Sequence, residues 1–161
     1  MVSELLEEAE GRSALLEDAG IESFVDYNES TTDKLPSVVL LATEIADLMM
    51  IEADFYSNAF ATLARSARKS GIYLHLATQR PSIDVLTEQM RSSIPGRIVF
   101  AVVSELDSIT LLGEPGAEKI TEVGRLLFAG GVDEEMRSVK AHYLTDQEVF
   151  AIVKEVKDSY A

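Results

Sequence analysis

Apolar residues recur along this chain in two rhythms, every third or fourth position in some stretches and unbroken runs of about five in others. Leu5, Leu6, Ala9, Leu15 and Leu16 lie among acidic residues at helical spacing and Gly20 follows, which predicts an amphipathic helix over Glu4–Ala19. Asn28 to Lys34 is polar and reads as a surface loop. Val38 to Ala42 follows Pro36 without a polar break, the texture of a strand covered on both faces of a parallel sheet. Tyr56, Ala59, Phe60, Leu63, Ala64 and Ala67 then mark a helix, closed by Gly71 with Lys69 near its negative end. Ile72–Ala77 is a second short strand.

Ser82 is placed to cap a helix running to about Ser92, before Pro95-Gly96 breaks it. Ile98–Val103 reads as a third strand, and Ser104 to Asp107 has capping-box spacing for a helix through Leu112. A turn at Gly113, Pro115 and Gly116 leads to a short helical piece near Ala117–Ile120. Strands are expected at Leu126–Ala129 and Val139–Leu144, with a turn at Gly130-Gly131 between them. Thr145 to Glu148 forms a better capping box, and Val149, Ile152, Val153, Val156 and Tyr160 share one face of the last helix. This alternation predicts an α/β fold: a mostly parallel sheet of about five strands, right-handed crossovers, and helices on both faces.

With 161 residues the chain is expected to form one domain, with 1–35 a leading helix and loop and 36–161 the sheet core. Acidic residues outnumber basic ones 28 to 14, and a net charge of −14 repels a phosphate backbone, which counts against DNA binding by this chain alone. There is no Cys, hence no disulfide framework or thiolate metal site. His75 and His142 lie in strand-like runs and read as core or surface residues. Acidic flanks at the amino terminus do not suit a signal peptide, and no segment approaches the ~20 apolar residues of a membrane span, so a cytoplasmic protein is expected.

Thr43 and Glu44 emerge at the carboxyl end of the first strand, where open α/β sheets bind ligands. Glu44 is therefore a candidate catalytic carboxylate, or else a residue that only starts the next helix. Thr78, Gln79, Arg80 and Pro81 leave the second strand in the same way. Gln79 and Arg80 are placed to meet a phosphate or sulfate, or to satisfy backbone groups of their own loop. Met49 and Met50 read as core filler. Arg65, Arg68 and Lys69 read as a solvated basic face. No zinc or calcium spacing occurs and no Gly-x-Ser-x-Gly elbow, so no metal site is expected.

Leu41 to Met50, the run Ala77-Thr78-Gln79-Arg80-Pro81-Ser82-Ile83-Asp84-Val85, then Asp107-Ser108 and Gly116-Ala117-Glu118-Lys119, resemble the motor domain of the FtsK/SpoIIIE DNA translocases. Leu15-Leu16, Ala19-Gly20 and Tyr27-Asn28-Glu29 extend the likeness upstream. The resemblance implies a RecA-like P-loop ATPase core, ATP with magnesium, and a homohexamer around double-stranded DNA. It implies that Glu44 polarises the attacking water and that Gln79, with Thr78 and Arg80 beside it, senses the terminal phosphate.

The departures from the family are as informative. A P-loop needs Gly-x-x-x-x-Gly-Lys-Ser/Thr to cradle phosphates, and no such run occurs here. Thr43 stands where the family has its magnesium-positioning Asp, and a hydroxyl cannot replace that charge. Ile109 replaces an Arg in Asp-Ser-Arg-Thr, Glu88 replaces a Gly in a segment that faces DNA in the family, and Glu122 to Leu127 departs from Gly-x-Gly-Asp-Met-Leu. A RecA-like core without its first strand and P-loop is expected, with no ATPase or translocase activity of its own. The alternatives are a motor part needing a complementary segment or subunit, with ATP and magnesium returning only then, and an acidic interaction module. An unpaired sheet edge would favour a dimer.

Overall fold

The computed structural model describes residues 1–130 and 135–160; residues 131–134 and 161, and the side chains of Ala67 and Arg68, lie outside the described residues. The predicted turn residue Gly131 and part of the basic face on Arg65, Arg68 and Lys69 fall there.

The heart of the fold is a parallel pair. β1 (Val38–Ala42) lies beside β2 (Ile72–Leu76), with Val38 opposite Ile72 and Ala42 opposite Leu76. The two are joined by α3 (Ile45–Ser70), a crossover long enough to return the chain to the same end of the sheet. α3 changes direction at Glu52, whose φ of −154° and ψ of 75° are not helical. It ends at Gly71, whose φ is +71° and where a Cβ would meet the Phe24 ring at 2.6 Å. Glycine alone lets that ring close over the helix end.

Phe24 opens α2 (Phe24–Ser30), a helix lying where a loop from Asn28 was expected. Its signal was present in the sequence: Ser23 caps it, accepting from the Asp26 N–H at 3.2 Å. α1 (Val2–Asp18) packs against α3. Between them Arg12 is 3% exposed, its guanidinium donating to Glu8 Oε1 at 2.7 Å, Pro36 O at 2.8 Å and Ser70 O at 2.9 Å.

Leu40, Ile45, Ala46, Met49, Phe60, Val85 and Met90 form the main core, and Ala9, Leu63 and Ile72 a second cluster under α1. The paired methionines separate: Met49 is buried, whereas Met50 is 74% exposed and is not core filler. Successive strand residues point to opposite faces, so burying Leu40 turns its neighbours outward. Val39 and Leu41 are 55% and 71% exposed. Among the described residues, helices therefore cover one face of β1, not both.

The remaining strands form a separate antiparallel sheet. β3 (Arg97–Val99), β4 (Arg125–Ala129) and β5 (Arg137–Lys140) are ordered β3-β4-β5, with Val99 opposite Leu127 and Leu126 opposite Val139. The expectation of a mostly parallel five-strand sheet is corrected accordingly. All five strands exist, but one pair is parallel. The reason lies between β3 and β4, where the chain reverses before it can cross the sheet. After α5 (Glu105–Leu112), Gly113 and Gly116 take φ of 85° and 154°, and the 3-10 turn Ala117–Lys119 folds back so that Val102 N donates to Ala117 O at 3.3 Å. β3 and β5 also stop short of Val103 and Leu144.

Both predicted capping boxes form, Ser104 with Asp107 on α5 and Thr145 with Glu148 on α6 (Asp146–Ser159). α4 spans Glu88–Ser93 and is capped by Thr87 instead of Ser82. Thr87 is held there by Ser57, their hydroxyls 2.6 Å apart. Arg91 donates to Thr110 O at 3.1 Å and Arg97 to Leu111 O at 2.7 Å, so two cations close the negative end of α5.

Candidate functional site

Glu44 occupies the step between β1 and α3 with a φ of +51°, the one positive-φ residue other than glycine among those described. That backbone geometry is strained for a side chain with a Cβ, and such strain is held in place only by surrounding contacts. The contacts are visible. Ala77 N donates to Ala42 O at 2.8 Å and Ile45 N to Ala77 O at 3.0 Å, stitching the end of β1 to the end of β2. Parallel pairing thus brings the two strand exits together, as the two strand runs required.

The carboxylate of Glu44 is engaged there on both oxygens. Thr78 Oγ1 donates to Oε1 at 2.7 Å and the Gln79 N–H to Oε2 at 3.2 Å. Thr78 Oγ1 also accepts from the Arg80 N–H at 3.0 Å, which tightens the turn. The Thr78 hydroxyl first, then the Gln79 amide, hold the Glu44 carboxyl below its usual value, and the Arg80 charge adds to this. Asp84, next in the same loop, is also lowered, chiefly by the Ser82 hydroxyl.

The structure therefore brings together Glu44, Thr78 and the backbone of Gln79. The Gln79 and Arg80 side chains are exposed, and Arg80 reaches Met50 Sδ at 3.7 Å instead of the carboxylate. Thr43 is exposed beside them. The Thr78 hydroxyl as the main partner of Glu44 was not foreseen; its signal was a hydroxyl at the exit of the strand next to a carboxylate's. Magnesium with ATP does not suit this donor set, because Thr43 brings no charge and Glu44 is tied down by its own chain. Among the described residues no three His, Asp or Glu side chains gather to hold a metal ion.

The fold is a mixed α/β domain with Glu44 and the Gln79 turn together at the exits of its parallel strand pair. Solved structures share it: the conjugation coupling protein TcpA of pCW3, in a monomer form with ATPγS, superposes with a TM-score of 0.86 at 28% identity, over 97% of this chain and 47% of that one. The cytoplasmic domain of the type VII secretion ATPase EccC from Thermomonospora curvata has a TM-score of 0.77 at 24% identity, over 91% of this chain and 17% of that one. The chain belongs to the FtsK/SpoIIIE family, whose sequence model matches residues 23–83. It is 36% identical over 165 residues to the DNA translocase FtsK of Staphylococcus aureus (strain Mu50), covering 96% of this chain and 21% of that protein. It is 35% identical over 158 residues to the DNA translocase SftA of Bacillus subtilis (strain 168), covering 95% of this chain and 17% of that protein. The chain thus spans about a fifth of the length of these relatives. Among the described residues no helix is long and apolar enough to cross a membrane.

Proposed function

We propose that this chain is an FtsK-like α/β domain with no ATPase or DNA translocation of its own, a stable scaffold retaining the part of the motor core that carries Glu44 and Gln79. The observation that carries the reading is the engagement of Glu44. A carboxylate hydrogen-bonded on both oxygens, with its pKa lowered, is a weaker base than a free one. Beside it stands Thr43 where the family has a magnesium-positioning Asp, and the 161 residues hold no Gly-x-x-x-x-Gly-Lys-Ser/Thr run. The net charge of −14 argues equally against holding DNA.

The test is calorimetric titration of magnesium-ATP into the purified chain, alongside a phosphate-release assay. The expected result is no heat of binding and no turnover; micromolar binding with phosphate release refutes the proposal. A second reading, a motor part completed by another segment or subunit, is favoured by the uncovered face at Val39 and Leu41 and by the greater length of the relatives. It predicts turnover once a polypeptide bearing the phosphate loop is added.

A further inference from the structure

We propose that Met50 is an oxidation site whose sulfoxide oxygen captures the Arg80 guanidinium, clamping the turn that follows β2 against α3. The clamp works whether or not the chain handles ATP, so its failure leaves the preceding reading untouched.

Met49 and Met50 are neighbours in α3, yet only one of their thioethers is open: Met49 is 6% exposed and Met50 74%. α3 changes direction at Glu52, just beyond them, and the residues from Met50 to Asp54 are all exposed. An oxidant reaches thioethers in order of their exposure, so the pair offers one target and one protected neighbour. Met90, at 1% exposure, is protected as well.

A second observation is what Met50 touches. Arg80 Nη1 donates to its sulfur at 3.7 Å, and a thioether is a weak acceptor. Hydrogen peroxide transfers one oxygen to such a sulfur: a sulfur lone pair forms the S–O bond, the O–O bond breaks, and the departing hydroxide takes a proton to become water. The product is polar and chiral. In the epimer whose oxygen lies on the Arg80 side, a weak contact to sulfur becomes a charge-assisted hydrogen bond to oxygen, roughly twice as strong as a neutral one.

The clamp acts at the strand exits. The Arg80 N–H is bonded to Thr78 Oγ1, that hydroxyl donates to Glu44, and the Arg80 charge already lowers the carboxyls of Glu44 and Asp84. Drawing the guanidinium onto α3 ties this turn down and withdraws its charge from any anion that enters beside Gln79. The device rests on a contact between two residues of this chain, not on a bare surface.

The test treats the full chain with dilute hydrogen peroxide and locates the added oxygen by peptide fragmentation in a mass spectrometer. Met1, 78% exposed, is the reference for an open thioether. Met50 should be oxidised nearly as fast as Met1 and at least about tenfold faster than Met49 and Met90, with the thermal melt retained. By NMR the Arg80 side-chain N–H signals should shift and lose mobility on oxidation, in the unaltered chain and not in Met50→Leu. Met50→Gln, whose amide oxygen stands near where the sulfoxide oxygen would, should restrain Arg80 without oxidant. The proposal is overturned if Met50 is oxidised no faster than Met49 and Met90, or if the fold is lost when only Met1 and Met50 carry oxygen. Arg80 signals that ignore oxidation, that respond equally in Met50→Leu, or that stay mobile in Met50→Gln overturn it too, leaving an exposed methionine oxidised without consequence.

Discussion

Replacing Arg12 by Met is the most informative perturbation of the fold. The thioether stem fills much of the space of the arginine stem but donates nothing. Two backbone carbonyls, Pro36 O ahead of β1 and Ser70 O at the end of α3, then lose their donor beneath a residue that is 3% exposed. Only the bond to Ser70 O is buried, and leaving that acceptor unpaired costs about 1–3 kcal/mol; Pro36 is exposed, so water can replace the donor to its carbonyl and its loss adds less. The ion pair to Glu8 adds little, because Glu8 is itself 50% exposed. Glu8→Gln should accordingly cost under about 1 kcal/mol. Urea unfolding followed by circular dichroism measures both variants, with an unchanged slope confirming the same transition. A loss under about 1 kcal/mol for Arg12→Met, or equal losses for the two variants, would refute the claim that this guanidinium pins α1 to the sheet through backbone carbonyls.

Further outcomes follow from the same contacts. Because the folded state lowers the Glu44 carboxyl below its ordinary value of 4.5, its contribution is fully present above that value and is lost as pH falls through the folded one. Glu44→Gln should therefore flatten part of the acid-side decline in stability, read from unfolding midpoints between about pH 3 and 7; an unchanged decline would show that Thr78 and Gln79 do not hold the carboxylate in solution. Phe60 is fully buried, so Phe60→Ala should cost about 3–5 kcal/mol by denaturant titration. Met50→Ala, at an exposed position, should stay within about 0.5 kcal/mol; a comparable loss at Met50 would mean that something covers it.

What was legible in the sequence was local or nearly so. The Ser104 and Thr145 caps, the helix ended by Gly71 and the five strands each depend on residues within a turn or two of one another, and such signals survive in any context. The approach of Glu44 to the Gln79 turn was also readable, because a strand, a long helix and a second strand force parallel neighbours whose exits meet. α2 was missed although Ser23 and Asp26 announced it, since the polar run after Asn28 outweighed the cap.

Tertiary structure alone decided the rest. The unbroken apolar run of β1 says that both faces suit a dry environment, but only the described neighbours determine that one face is covered and Val39 and Leu41 are not. Nothing local distinguishes Met49 from Met50; the direction of α3 over the sheet buries one and exposes the other. The antiparallel return of β4 against β3 depends on where the 3-10 turn at Ala117 folds back, a contact between residues far apart in the chain. Arg12 is the clearest case. On its own helix it is one more polar position, and it becomes a buried anchor only because the carbonyls of Pro36 and Ser70, 24 and 58 residues away, converge on it.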